Sequence, residues 1–310
     1  MAMEKLIRRI LELKNPTVVG LDPTLAYLPT QVKEKAFSVY GKTLEGAAAA
    51  YLEFNQAMID AVCDIVPAVK PQCAYYELLG WQGMKCLAET IAYARKKGMY
   101  VITDGKRNDI GSTMQAYAAA HLGETDIEGV RCAPFGADAL TVNGYLGSDG
   151  IRPLLDLISG QEDKAIFVLA KTSNPSSGEL QDRLIEGEPV YTVMGAMCEQ
   201  WGEASRGSYG YSQVGAVVGA TYPEQLALLR RKLPHTFFLV PGYGAQGGGA
   251  KDVAGAFDQN GLGAIVNSSR AILTAWKKEG WTGDTYAQAA RAEAIRMRDD
   301  ILSAIPPMQG

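Results

Sequence analysis

Histidine is scarce: only His121 and His235 occur among 310 residues, in unrelated contexts. A histidine metal centre or a Ser-His-Asp triad has almost nothing to build on, so both are read as surface or structural residues. Cysteine is no better placed. The five (Cys63, Cys73, Cys86, Cys132, Cys198) are odd in number, scattered and never spaced as Cys-x-x-Cys. That argues against a disulfide or zinc framework and for reduced, mostly buried thiols in a cytoplasmic protein. Nor is positive charge in excess. A formal net charge of -4 and a pI near 5.4 give no general attraction to nucleic acid or an anionic membrane, so any phosphate site has to be local. No apolar run is long enough to span a bilayer, and Glu4, Lys5, Arg8 and Arg9 interrupt the opening segment, leaving no stretch for a signal peptide. A small-molecule ligand is the expectation.

With 47% hydrophobic and 21% charged residues, the composition is that of an ordinary globular chain with a sizeable core. Short β-rich runs recur, each followed by a longer stretch of helical period. Strands are expected at 17–21, 68–70, 100–103, 139–142, 165–169, 214–218, 237–240 and 264–266, and helices at 47–65, 81–97, 113–122, 186–204, 223–232 and 286–302. Eight β/α repeats predict a (β/α)8 barrel rather than a doubly wound open sheet. The choice follows from where polar residues fall: Asp22, Lys70, Asp104, Asn143, Ser173 and Gly242 each close a different strand, and a barrel collects its active-site groups at those ends. One barrel domain over residues 1–310 is expected. Its longest connection, about 172–213, is read as a lid followed by a helix with an insertion.

The densest chemistry is Val101-Ile102-Thr103-Asp104-Gly105-Lys106-Arg107-Asn108-Asp109-Ile110. In an extended strand Asp104 and Lys106 project to one side. A lysine flanked by carboxylates keeps its proton, which suits a proton donor better than a Schiff-base nucleophile; a solvated loop with an ordinary salt bridge is the bland alternative. Asp22 and Lys70 extend the pattern to two carboxylates and two ammoniums able to hold one another in place. A glycine-rich loop after the seventh strand (241–249) and Asn267-Ser268-Ser269-Arg270 after the eighth have the makings of a phosphate site. Alone, the loop would be a flexible turn.

In order along the chain, Gly20-Leu21-Asp22-Pro23, Val69-Lys70-Pro71, the stretch 104–110, Ala137-Asp138-Ala139-Leu140-Thr141-Val142-Asn143, Lys171-Thr172-Ser173-Asn174-Pro175, the loop from Pro241 through Gln246 to Gly248, and Asn267-Ser268-Ser269-Arg270 resemble the orotidine 5′-phosphate decarboxylase family, particularly its longer bacterial branch, over about 17–273. The resemblance implies decarboxylation of orotidine 5′-phosphate to UMP and CO2 in pyrimidine biosynthesis, without metal or organic cofactor. Lys106 would protonate C6 as CO2 leaves, with Asp104 beside the departing carboxylate and Lys70 and Asp22 orienting Lys106 and the ribose hydroxyls. Asp109, with Ile110 and Thr113, would reach the neighbouring subunit's site across a homodimer interface. Ser173 would bind the pyrimidine amide, Gln246 would bridge base and phosphate, and Arg270, with Pro241 and Ser269 beside it, would bind the phosphate. Asn143 would line the site, although many shorter members carry histidine there. Two rivals stand beside this reading: a Mg2+-dependent sugar-phosphate decarboxylase or aldolase of the same superfamily, which needs a third carboxylate, and a catalytically dead nucleotide-binding barrel, whose charge set would be broken.

Overall fold

The computed structural model describes residues 3–161, 163–244 and 249–309. Eight parallel strands pair edge to edge until the last meets the first: β1 (Thr17–Leu21), β2 (Ala68–Pro71), β3 (Tyr100–Arg107), β4 (Ala139–Val142), β5 (Ala165–Lys171), β6 (Val214–Val218), β7 (Phe238–Val240) and β8 (Ala264–Ser268). Closure comes from β1, which pairs Val18 with Ala68 on one side and Thr17 with Val266 on the other. The chain is a (β/α)8 barrel, as the alternation predicts.

Helices α1 (Glu4–Leu13), α2 (Thr30–Tyr40), α3 (Leu44–Val62), α4 (Cys73–Glu77), α5 (Gly80–Lys96), α6 (Gly111–Leu122), α7 (Ser148–Ile158), α8 (Val190–Gly202), α9 (Pro223–Lys232), α10 (Ala250–Ala254), α11 (Arg270–Leu273) and α12 (Tyr286–Leu302) complete the order. Strand residues alternate between two cores, as the pleat requires. Val19, Val69, Val101, Leu140, Val168 and Val266 pack outward against the helices. Val18, Ala68, Tyr100, Ile102, Phe167 and Ile265 fill the barrel itself. Gly215 makes that interior possible, because a Cβ there would lie 2.6 Å from the Phe167 ring.

α1 joins the inner core, with Met3, Leu6, Ile7 and Ile10 essentially inaccessible and packed with the barrel-filling side chains. It stoppers the N-terminal mouth. Lys5 Nζ pairs with the buried Asp138 at 2.7 Å, and Glu4 accepts hydrogen bonds from the backbone and hydroxyl of Ser208. Between β5 and β6 the connection holds a short antiparallel hairpin (Leu184–Ile185 with Glu188–Pro189) before α8. The cysteines are free, and Cys73, Cys86 and Cys198 are buried while Cys132 is exposed. Burial pushes the Cys86 and Cys198 thiols up to about 12, so neither is a nucleophile at neutral pH.

Candidate active site

β3 runs from a fully apolar start into its charged end without leaving the sheet. Ile102 and Thr103 pair with Ala139 and Leu140 of β4, and pairing resumes at Arg107 with Val142. Three residues of β3, Asp104, Gly105 and Lys106, therefore stand opposite one of β4, Thr141. Such a bulge re-aims side chains at a barrel rim. Asp104 Oδ2 accepts from Lys70 Nζ at 2.6 Å and Gln72 Nε2 at 3.0 Å, and its Oδ1 accepts from Lys106 Nζ at 2.5 Å and the Thr141 hydroxyl at 2.8 Å.

Burial works to raise the Asp104 carboxyl, but the ammoniums of Lys70 and Lys106 outweigh it and hold the group well below the usual carboxylate range. Lys70 shows the converse. Burial disfavours its charge, yet Asp104 and then Asp22 raise its pKa above the ordinary value. The Lys70 side chain is 5% exposed and that of Lys106 44%. The first is thus a buried counter-charge, and the second presents its ammonium to the cavity.

That cavity, of about 670 Å3, opens at the C-terminal ends of the strands, and every strand contributes to it. Asp22 and Tyr27 follow β1; Lys70, Gln72 and Tyr75 come from β2 and its loop; Asp104 and Lys106 from β3; and Thr141 from β4. Leu169, Thr172, Ser173 and Asn174 belong to β5 and the segment after it, Val217 to β6, Leu239, Pro241, Gly242 and Tyr243 to β7 and its loop, and Asn267 to Arg270 to β8 and the start of α11. Leu169, Val217 and Leu239 beside polar side chains from the strand ends and loops give the mixture a small organic ligand requires. Two carbonyl-type oxygens at the wall, Asp22 Oδ1 and Asn267 Oδ1, are buried with no hydrogen-bond partner, which leaves two acceptors ready for ligand hydroxyls. Gly242 takes φ +105° and Gly244 φ +77°, conformations that favour glycine and turn the backbone at the mouth. Gly20 matters for closeness: a Cβ there would collide with the Ser269 side chain.

The structure brings together Asp22, Lys70, Asp104, Lys106, Ser173, Pro241, Ser269 and Arg270. Asn143 is not among the lining residues; its Oδ1 accepts from the Tyr145 backbone N–H at 2.9 Å and holds the turn beyond β4. Asp109, Ile110 and Thr113 also lie outside the lining, at the start of α6, with Ile110 and Thr113 exposed. The Asp109 carboxylate accepts from the Ile110 N–H at 2.8 Å. Gln246 lies outside the described residues. Sequence reasoning passed over Gln72, Tyr75 and Thr141. For Gln72 and Thr141 a signal existed: Gln72 shares the alternation of Lys70, and Thr141 is the inward-phase residue of β4. Among the described residues no group of three or more His, Cys, Asp or Glu side chains is arranged to hold a metal ion, and both Asp104 oxygens already accept from side-chain donors.

Residues 18–280 match the model of the "Orotidine 5'-phosphate decarboxylase / HUMPS family". The chain belongs to this family. Within the decarboxylase/HUMPS family it is similar to the orotidine 5′-phosphate decarboxylase of Rhodopirellula baltica, 46% identical over 296 residues that span 94% of this chain and 96% of the relative. The enzyme of that name from Clostridium perfringens is 42% identical over 306 residues, 98% of this chain and 99% of the relative. Among solved structures, OMP decarboxylase from Leishmania donovani superposes with a TM-score of 0.72 at 28% identity, covering 98% of each chain.

Proposed function

We propose that this family member is an orotidine 5′-phosphate decarboxylase, a carboxy-lyase that converts orotidine 5′-phosphate to UMP and CO2 for pyrimidine biosynthesis. The observation that carries the reading is the Lys70–Asp104–Lys106 array at the floor of a cavity whose rim, at Gly242, Ser269 and Arg270, suits a phosphate. The C6–carboxylate bond breaks with its electron pair left on C6, CO2 departs, and the Lys106 ammonium delivers a proton to that carbon. A cation fixed in advance beside developing negative charge lowers the barrier without reorganising solvent. Lys70 and Asp104 keep that cation in place. Asp22, with its unpartnered Oδ1, accepts from the ribose hydroxyls. Ser173 binds the pyrimidine amide, Gln246 links base to phosphate, and Pro241, Ser269 and Arg270 complete the phosphate site. Because the phosphate is remote from C6, its binding energy is available to the transition state.

The reaction uses no metal or organic cofactor in this reading, and both Asp104 oxygens being engaged by Lys70, Gln72, Lys106 and Thr141 leaves the Mg2+-dependent alternative short of a ligand. The protein acts as one barrel domain in a cytoplasmic homodimer, with Asp109, Ile110 and Thr113 completing the second subunit's site; no helix of the described residues is long and apolar enough to cross a membrane. The test is loss of orotidine 5′-phosphate ultraviolet absorbance on adding purified protein in EDTA. Rapid conversion to UMP is expected. A flat trace that Mg2+ restores would overturn the metal-free chemistry, and one that nothing restores would leave a nucleotide-binding barrel.

A further inference from the structure

Lys106 carries a backbone that L-residues avoid, with φ at +47°, a strained conformation that persists only where its surroundings impose it. The strain sits at the residue whose ammonium faces the cavity, at the end of the three-residue bulge. What opposes the bulge is Thr141, 1% exposed and the one β4 residue between the pairs that flank it. Its hydroxyl accepts from the Lys106 backbone N–H at 3.0 Å and donates to Asp104 Oδ1 at 2.8 Å. The same carboxylate oxygen receives Lys106 Nζ at 2.5 Å. Thr141 therefore closes a loop that runs from the lysine's main chain through one hydroxyl and one carboxylate oxygen to the lysine's own ammonium.

A hydroxyl has a single proton, and here its placement is fixed by chemistry. Asp104, ionised between two ammoniums, accepts only, so the Thr141 proton points to it and a lone pair is left for the Lys106 N–H. No apolar side chain reproduces either bond, and serine reproduces both. We propose that Thr141 is a positioning residue: it holds the left-handed turn at Lys106 and the Asp104 carboxylate in one register, and so sets where the Lys106 ammonium stands relative to the reacting carbon. The proposal rests on the decarboxylase reading above. It assigns to Thr141 no contact with the substrate's reacting atoms, and its effect is expected in turnover more than in binding, since displacing a catalytic group by about 1 Å costs on the order of a hundredfold in rate.

The test compares wild type, Thr141→Val and Thr141→Ser for kcat and KM on orotidine 5′-phosphate, with UMP affinity by calorimetry and Tm as independent readouts. Valine should lower kcat by at least about tenfold while KM and UMP affinity stay within about threefold, and serine should restore kcat to within about threefold of wild type. Should valine unfold the barrel, Thr141→Ala removes the hydroxyl without placing a second methyl there and carries the same expectation. Wild-type-like kcat in a folded Val or Ala variant would overturn the positioning role, as would a Ser variant as slow as Val. An inactive wild type with intact UMP binding would instead sink the decarboxylase reading, and the two failures are thereby distinct.

Discussion

Asp104 is ionised inside a protein because four donors meet its two oxygens, two of them ammoniums. Removing Lys106 deletes the proposed acid but leaves Lys70 and the neutral donors to hold the carboxylate. Lys106→Ala should therefore fold normally, bind UMP and lose at least roughly ten-thousandfold in kcat; turnover within tenfold of wild type would take Lys106 out of the acid role. His121 gives a prediction about stability. It is buried against Phe135, with ring centroids 5.0 Å apart, and burial, helped by the charge of Arg107, brings its pKa from 6.5 down to about 4. Between those values the unfolded chain binds a proton that the folded chain refuses, so stability is lost as pH falls, by up to about 3 kcal/mol near pH 4. His121→Phe should flatten that slope in urea titrations at pH 7 and 4.5, and identical slopes would contradict it. The charged part of the site was legible in the sequence because Asp22, Lys70, Asp104 and Lys106 each end an apolar strand. The neutral part was legible in phase alone: Gln72 and Thr141 stand at inward positions but belong to residue types common on any strand, and only the three-against-one pairing of β3 with β4 shows that Thr141 faces two charged neighbours. Asn143 has the right phase for the cavity, but its strand stops at Val142, and beyond the ladder alternation no longer dictates direction.

Among the elements, the strands were readable from their apolar runs because both faces of a parallel barrel are covered, and the differences fall at the ends. β3 extends to Arg107 and β5 to Lys171, further than hydrophobicity alone predicts, since Lys171 is fully buried with its ammonium 2.7 Å from Asp182 and above the Tyr222 ring. The segment read as a lid is fastened at that point, and again where Gln181 bonds both the backbone and the hydroxyl of Thr172. α7 is hard to see in the sequence because Pro153 lies inside it and proline counts against a helix interior. In the sequence the charges of α1 break up its apolar residues, and only the helix gathers Leu6, Ile7 and Ile10 into one buried stripe. That stripe carries the element's stability. Leu6→Ala should cost about 2–5 kcal/mol, read as a lower urea midpoint, with KM unchanged because α1 lies at the opposite end from the cavity. A raised KM with unchanged stability would reverse that assignment.

For the whole molecule, a single chain leaves Asp109, Ile110 and Thr113 outside its own cavity, in keeping with a site shared between two copies. Co-expressing Lys106→Ala with Asp109→Ala distinguishes sharing from self-sufficiency. In a shared arrangement the mixed dimer has one site lacking both groups and one lacking neither, so random assembly should regain about a quarter of wild-type activity from two inactive variants. No recovery, in material shown by native mass spectrometry to contain mixed dimers, would return Asp109 to its own subunit. The stopper formed by α1 has a further bearing on traffic. With the far mouth of the barrel filled by Met3, Leu6, Ile7 and Ile10, arrivals and departures use one doorway, so substrate cannot enter behind a product that has yet to leave, and UMP should inhibit by simple competition, raising the apparent KM while leaving the maximal rate untouched.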